Sequence, residues 1–284
     1  MSTQMAGKTC IVTGATSGIG RETALGLARM GAHVALVARD RNRGEATVAA
    51  ITEQTGNRQV DLLLADLSDQ SQVRRLAAEI LAKYERIDVL VNNAGLVLKD
   101  RQITVDGLER TFAVNHLASF LLTNLLLDRL KASSPARIVN TASEAARIAR
   151  IDFADLHGER RYAAFRAYGQ SKLANILFTY ELARRLKGTG VTANCLHPGV
   201  VSTGFGVNNQ GFWRFAMKLG QPFMISAAQG ADTILYLAAA PEVEGITGQY
   251  FAKRRPIKSN AESYNEEVAR RLWAVSEQLT GLAH

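Results

Sequence analysis

The stretch TCIVTGATSGIG at positions 9–20 decides the reading of this chain. Thr9–Thr13 is a run of β-branched and apolar residues, which predicts a buried strand. Gly14, Gly18 and Gly20 follow with the spacing G-x₃-G-x-G. They allow a tight turn and a close approach of ligand to backbone. Ile19–Met30 then has helical periodicity, closed by Gly31. A strand, a glycine turn and a helix N-terminus together form a cradle for pyrophosphate, because the first N–H groups and the positive dipole end face the turn. There is no Walker lysine. The expected cofactor loop comprises Gly14, Thr16, Ser17, Gly18, Ile19 and Gly20.

The alternation continues outward from this stretch. Strands are expected at His33–Ala38, Val60–Ala65, Ile87–Val91, Ala136–Thr141, Val191–Leu196 and Gln249–Phe251. Helices are expected at Arg41–Thr55, at Asp69–Tyr84 behind a Ser68 N-cap, and at Leu108–Lys131, Ala167–Leu186, Ala227–Ala239 and Glu262–Leu279. Repeated strand–helix–strand units imply parallel strands joined by right-handed crossovers. The fold class is therefore α/β: one doubly wound, Rossmann-type domain over 1–284, with helices on both faces of a mostly parallel sheet. Its ligand belongs outside the carboxyl ends of the strands.

Composition narrows the function classes. The chain has 284 residues, 47% hydrophobic and 21% charged, which is globular rather than fibrous or disordered. Cys10 and Cys195 lie in apolar runs, so neither a disulfide framework nor a zinc ribbon is expected. Lys plus Arg at 34 against Asp plus Glu at 26 gives 34 − 26 = +8. The basic residues are scattered apart from Lys253-Arg254-Arg255 and Lys258, and no recognition motif accompanies them, so nucleic acid is not the expected partner. No targeting segment and no 18-residue apolar run are visible, so the expectation is a cytoplasmic protein without a membrane anchor.

Several chemistry-bearing residues fall at predicted strand ends. Arg39 and Asp40 end the second strand. There an acidic residue would hold the ribose 2′-hydroxyl of NAD and an arginine the 2′-phosphate of NADP; Arg39 comes first, with Arg21 as a second positive charge, which favours NADP(H). Asn92-Asn93-Ala94-Gly95 follows the fourth strand, Ser143 the fifth (with Thr141 as a rival), and His197-Pro198-Gly199 the sixth. Tyr168 and Lys172 stand four apart on one helix face. An ammonium beside a phenol is expected to lower the phenol's pKa from about 10 and make it an acid–base group for a carbonyl or alcohol oxygen.

Together, TGATSGIG at 13–20, Asp66, NNAG at 92–95, Asn115, Ser143, YGQSK at 168–172 and HPGVVST at 197–203 resemble the short-chain dehydrogenase/reductase family, from near Lys8 to Phe251. The resemblance implies that Tyr168 is the acid/base, and that Lys172 tunes it and holds the nicotinamide ribose. It implies that Ser143 bonds the substrate oxygen and that Asn115 helps hold a relay water. Asp66 and Leu67 would flank the adenine, while Asn93, Ala94 and Gly95 would line the cofactor. Pro198 and Gly199 would join these contacts, with Val201 and Thr203 at the carboxamide. Asn115 also reads as a helix-bending polar residue, and His116 as a packed or capping histidine. His197 is given no catalytic role.

The 24 residues between Ser143 and Tyr168, the sequence YGQSKLAN at 168–175 and the tail at 253–284 are similar to the retinol-dehydrogenase-like branch. The insert at 144–167 carries five arginines and reads either as a solvated loop or as a substrate lid. A further lid is expected near 204–225. Leu96, Val97, Leu98, Ala145, Val207, Phe212, Trp213 and Phe215 would wall an apolar pocket. The expected activity is NADP(H)-dependent oxidoreduction of a carbonyl or alcohol, retinal among the candidates. The alternatives are a nucleotide-sugar-modifying enzyme, which usually has another glycine spacing and a larger substrate domain, and a non-catalytic NADP(H) sensor, which commonly lacks the tyrosine or lysine. Leucine-rich Phe112–Leu130 needs cover on more than one face, so a homo-oligomer (dimer or tetramer) is expected, with cover by the C-terminal segments as the alternative.

Overall fold

The computed structural model describes residues 4–199 and 225–282. Val201, Thr203 and positions 204–224 of the expected lid lie outside the described residues. The strands are β1 (Thr9–Thr13), β2 (His33–Ala38), β3 (Val60–Leu64), β4 (Val89–Asn92), β5 (Ala136–Thr141), β6 (Val191–Leu196), β7 (Tyr250–Ala252) and β8 (Arg255–Pro256). They form one sheet in the order β3-β2-β1-β4-β5-β6-β7-β8, in which every described pairing is parallel except β7 with β8. The order reverses between β1 and β4, which opens a crevice at the carboxyl ends of these two strands.

The helices are α1 (Gly18–Arg29), α2 (Arg41–Thr55), α3 (Gln70–Lys83), α4 (Arg110–Phe112), α5 (Ala118–Leu125), α6 (Leu127–Ala132), α7 (Ala164–Arg185), α8 (Ala227–Ala239) and α9 (Glu266–Thr280). The sheet is buried on both sides, so its strands are apolar throughout rather than alternating. Cys10 and Val12 of β1 face α1 and α8, where Leu25, Leu27, Ile234 and Leu237 are buried; Ile11 faces the layer of α3 and α5. Both cysteines are free and buried. Among the described residues no helix is long and apolar enough to cross a membrane.

Two expectations are corrected here. Asp69, not Ser68, caps α3, accepting from the backbone N–H groups of Ser71 and Gln72; Ser68 instead donates its N–H and hydroxyl to Asp66. The single helix expected over Leu108–Lys131 is broken by a π turn at Ala113–Leu117 and again before Leu127. π turns of this kind concentrate at functional sites.

The apolar surface of α5 and α7 is covered within the same chain by α9. Trp273 sits 4.9 Å from Phe120 and 5.7 Å from Phe178, ring centre to ring centre. Its indole N–H donates to Glu277 Oε1, and the Arg185 guanidinium lies 4.0 Å above its ring. This contact supplies intramolecular cover for part of the leucine-rich surface.

Candidate active site

The glycine turn is shaped by sterics. Gly14 has φ +66, and a Cβ there would come within 2.8 Å of Ala94 Cα. A Cβ on Gly20 would lie 2.2 Å from Gly14 O and 2.5 Å from Asn93 Nδ2. The helix N-terminus behind the turn is left open: Ser17 occupies the cap position without a side-chain cap bond, and the first turn of α1 holds no acidic residue. Its free N–H groups therefore suit an anion, so these residues fit a dinucleotide pyrophosphate.

Thr13, which sequence reading passed over, pins the turn to the end of β4. Its hydroxyl donates to Val91 O and accepts from the N–H groups of Asn93 and Ala94. Asn93 spends its amide on Thr13 O and Gly14 O. Asn93 thus braces the cradle from its side, while Gly14 and Ala94 meet at its floor.

At the end of β2 the two charged residues part company. Asp40 accepts from Arg43 N and caps α2. Arg39 stays 64% exposed, with only a 3.9 Å approach to Asp66, so its guanidinium is available to an anion. Asp66 itself is held by Ser68, and its N–H donates to Gln72 Oε1. Arg21, the second expected cation, lies 3.9 Å from Glu22.

Ser143, Tyr168, Lys172 and Asn115 come together. Ser143 stands just past β5 and caps a 3-10 turn at Glu144–Ile148, accepting from Ala145 N at 3.2 Å. It, rather than Thr141, hydrogen-bonds Tyr168. Burial raises the Tyr168 pKa above its usual 10 and outweighs the Ser143 bond, which acts in the opposite sense. Lys172 Nζ lies 5.8 Å from the Tyr168 ring centre and donates to Thr141 O at 3.0 Å. Burial pushes the Lys172 ammonium down to about 8. The expectation that Lys172 lowers the Tyr168 pKa is therefore corrected: desolvation dominates at both groups, and the ammonium is turned to a carbonyl.

Asn115 lies inside the π turn and is fully buried. Its Oδ1 accepts from Leu96 N at 2.7 Å, and its Nδ2 donates to Leu96 O and to Ser171 Oγ, both at 2.9 Å. It is thus both a site residue and the polar residue at the helix irregularity. Gly95 sits between the two groups: a Cβ there would be 3.2 Å from Lys172 Nζ and 3.4 Å from Asn115 Oδ1. Asn175, given no role of its own in the sequence beyond the YGQSKLAN resemblance, donates to Asn115 O at 2.9 Å and to Thr141 O at 3.2 Å. An asparagine three residues after the lysine, on the same buried helix face, was the available signal.

His116 is packed, as its sequence context suggested. His197 lies 3.3 Å from Glu144 Oε2, and burial lowers its pKa. Gly199, with φ +94, ends the described part of the HPG turn.

The insert is anchored at several points. Asn260 Nδ2 donates to the carbonyls of Ala146, Arg147 and Ala149. Gln170 bonds Asp152 N and Leu156 O, and the Tyr162 hydroxyl donates to Leu98 O. Arg147 pairs with Glu144 and Arg166 with Asp152. These bonds tie the insert to α7, to Leu98 and to Asn260 of the tail.

The family model described as short chain dehydrogenase matches residues 8–211. The chain is 46% identical to retinol dehydrogenase 12 of Mus musculus, covering 98% of this chain and 88% of that one. It is also 46% identical to retinol dehydrogenase 11 of Homo sapiens, covering 98% and 87%. Among solved structures, an uncharacterized protein from Mycobacterium paratuberculosis has TM-score 0.81 and 36% identity, covering 99% of this chain and 95% of that one. The RhlG/NADP active-site complex of Pseudomonas aeruginosa has TM-score 0.72 and 26% identity, covering 88% and 96%. With the glycine cradle, the buried lysine and the serine–tyrosine pair at one end of a doubly wound sheet, these matches make the chain a member of the short-chain dehydrogenase/reductase family, in its retinol-dehydrogenase-like branch, and an oxidoreductase acting on CH–OH groups.

Proposed function

We propose that the protein is an NADP(H)-dependent oxidoreductase whose substrate is a bulky apolar aldehyde or ketone, or the matching alcohol, with retinal-like molecules as the chemical class. The observation that carries this reading is the convergence of Ser143, Tyr168, Lys172 and Asn115 beside an uncapped helix N-terminus. NADP(H), when bound, supplies or accepts the hydride. The chain's own residues do the rest. Ser143 holds the substrate oxygen, and the Tyr168 hydroxyl gives its proton to that oxygen in reduction and takes it back in oxidation. The Lys172 ammonium, fixed by Thr141 O, would hold the nicotinamide ribose beside them.

The choice of the phosphorylated cofactor is supported by the division of labour at β2. Asp40 is committed to its own helix, and Arg39 is the exposed cation. The solved relative in complex with NADP points the same way. The apolar substrate class is supported by Leu96, bonded to Asn115, and Ala145, bonded to Ser143, and by the retinol dehydrogenases among the relatives.

The test is steady-state kcat/KM with NADPH and with NADH, on matched apolar and polyhydroxylated carbonyls. Preference for NADPH and for the apolar set is expected. A charge-assisted guanidinium–phosphate contact corresponds to about 10- to 150-fold in cofactor preference, which Arg39→Ala should narrow. Equal use of both cofactors refutes the NADP reading. A preference for polyhydroxylated substrates refutes the apolar-pocket reading.

A further inference from the structure

His116 follows Asn115 in the π turn and is fully buried. Phe112, Phe120 and Phe178 surround its ring at 5.1, 6.2 and 6.1 Å between centres. Nδ1 lies 3.3 Å from Asn175 Oδ1, and Nε2 lies 2.9 Å from Ser276 Oγ on α9. These neighbours, from α4, α5, α7 and α9, carry no charge. Burial pushes the pKa of the ring down to about 4, so near neutral pH it is uncharged and holds one proton.

The surrounding bonds decide which nitrogen holds that proton. Asn175 Nδ2 faces two carbonyls, Asn115 O and Thr141 O, so it must be the amide nitrogen. Its Oδ1 therefore faces His116, and only an N–H can meet it. The proton is on Nδ1. Nε2 is then an acceptor, and the Ser276 hydroxyl must donate to it. That hydroxyl also donates to Leu272 O at 2.8 Å, so its one proton is shared between two acceptors and Leu272 O competes with the ring for it.

The far end of this chain of bonds is the site. Thr141 O accepts from both Asn175 and Lys172 Nζ. Asn115 O accepts from Asn175, while the Asn115 side chain holds Leu96 and Ser171. One amide thus clamps the end of β5, the π turn and α7 in register.

We propose that Ser276, His116 and Asn175 form a buried positioning relay through which the C-terminal helix sets the placement of Lys172 and Asn115. This inference rests on the reading of those two residues as part of an oxidoreductase's acid–base machinery. None of the three relay residues touches substrate. If His116 loses its ring nitrogens, Asn175 Oδ1 is left buried and unpaired, and its amide has reason to turn. Thr141 O is then left to Lys172 alone, which favours the ammonium form.

Two measurements test this. The first needs no activity: ¹⁵N resonances of the histidine rings in the full-length protein at pH 7. His116 should show a protonated Nδ1 and a bare Nε2, and Ser276→Ala should move the Nε2 resonance. A protonated Nε2 overturns the relay. The second is the pH profile of kcat in His116→Leu, His116→Asn and Ser276→Ala, with NADPH and an apolar aldehyde. His116→Leu should lower kcat about tenfold, the scale of one lost buried bond, with the KM for NADPH held within about twofold. Its alkaline limb should move to higher pH. His116→Asn, which keeps a donor near the Nδ1 position, should recover most of the loss. Ser276→Ala, remote from the site and small, should shift the same limb by less, and it decides the matter if His116→Leu does not fold. A uniform fall with an unmoved profile, or no recovery in His116→Asn, overturns the proposal. Absence of any carbonyl turnover in the unmodified protein would instead refute the oxidoreductase reading, while the ¹⁵N measurement still decides the relay.

Discussion

Asn115 and Leu96 are joined twice, once through Leu96 N and once through Leu96 O, so one side chain replaces a missing piece of backbone pairing. The same amide reaches Ser171 Oγ on α7. Asn115→Ala removes three buried bonds at once and leaves the Leu96 groups unpaired. We expect kcat to fall by about 10²-fold, the scale of general acid–base support, and the urea midpoint to drop as well. Asn115→Asp keeps the acceptor for Leu96 N but loses both donors, and should be no better than alanine at pH 7. Kinetics and urea unfolding on both variants check this.

Tyr168→Phe keeps the ring against Lys172 and removes the transferable proton. Turnover should fall at least about 10²-fold while cofactor fluorescence titrations stay unchanged. Full activity would place the acid/base elsewhere.

Gly20→Ala forces a Cβ into backbone that lies 2.2 Å away, so the turn must open. Dinucleotide affinity should fall by at least about tenfold, with a stability cost of about 1–3 kcal/mol from overpacking. Calorimetric titration with NADPH reads the first and thermal unfolding the second.

Lys172 imposes a stability slope at alkaline pH. Its ammonium is held near 8 in the folded protein against 10.5 ordinarily, so between those values the unfolded chain binds more protons. Stability from this group therefore rises with pH across that window and is lowest below about 8. The full difference is about 3 kcal/mol. Urea unfolding between pH 7.5 and 10.5 should show the slope in the unmodified protein and lose it in Lys172→Met.

Trp273→Ala opens a cavity between α9, Phe120 and Phe178, and should cost about 3–5 kcal/mol. Light scattering on this variant should also show association, because the uncovered leucine-rich face of α5 then seeks another partner.

The sheet and its crevice were legible in the sequence because buried parallel strands are continuous apolar runs, and because Gly14 and Gly20 stand where no side chain fits. Arg39, Ser143, Tyr168 and Lys172 were legible because each sits at a strand end or on a shared helix face. The π turn was not, since AVNHL at 113–117 has ordinary helical periodicity; what breaks the ladder is the bonding of Asn115 and Asn175 to groups distant in sequence. The depressed Lys172 was also hidden. Sequence spacing sets two residues side by side, but burial, which decides the protonation of both, depends on everything packed above them. Thr13 was overlooked because a threonine closing a strand looks like any other, and its three bonds run to residues about 80 positions away.

The contact between α9 and the π turn also bears on biosynthesis. A polypeptide leaves the ribosome amino end first, so Gly14, Ser143, Tyr168 and Lys172 all emerge before Trp273 and Ser276. The nascent chain can form its sheet early, but the apolar backs of α5 and α7 stay bare until α9 arrives. Completion of the reaction centre is thus tied to the late arrival of this helix. A product cut short before position 266 would carry every acid–base residue named above, yet it would present a sticky leucine surface to chaperones and proteases, so quality control could recognise it without any test of catalysis.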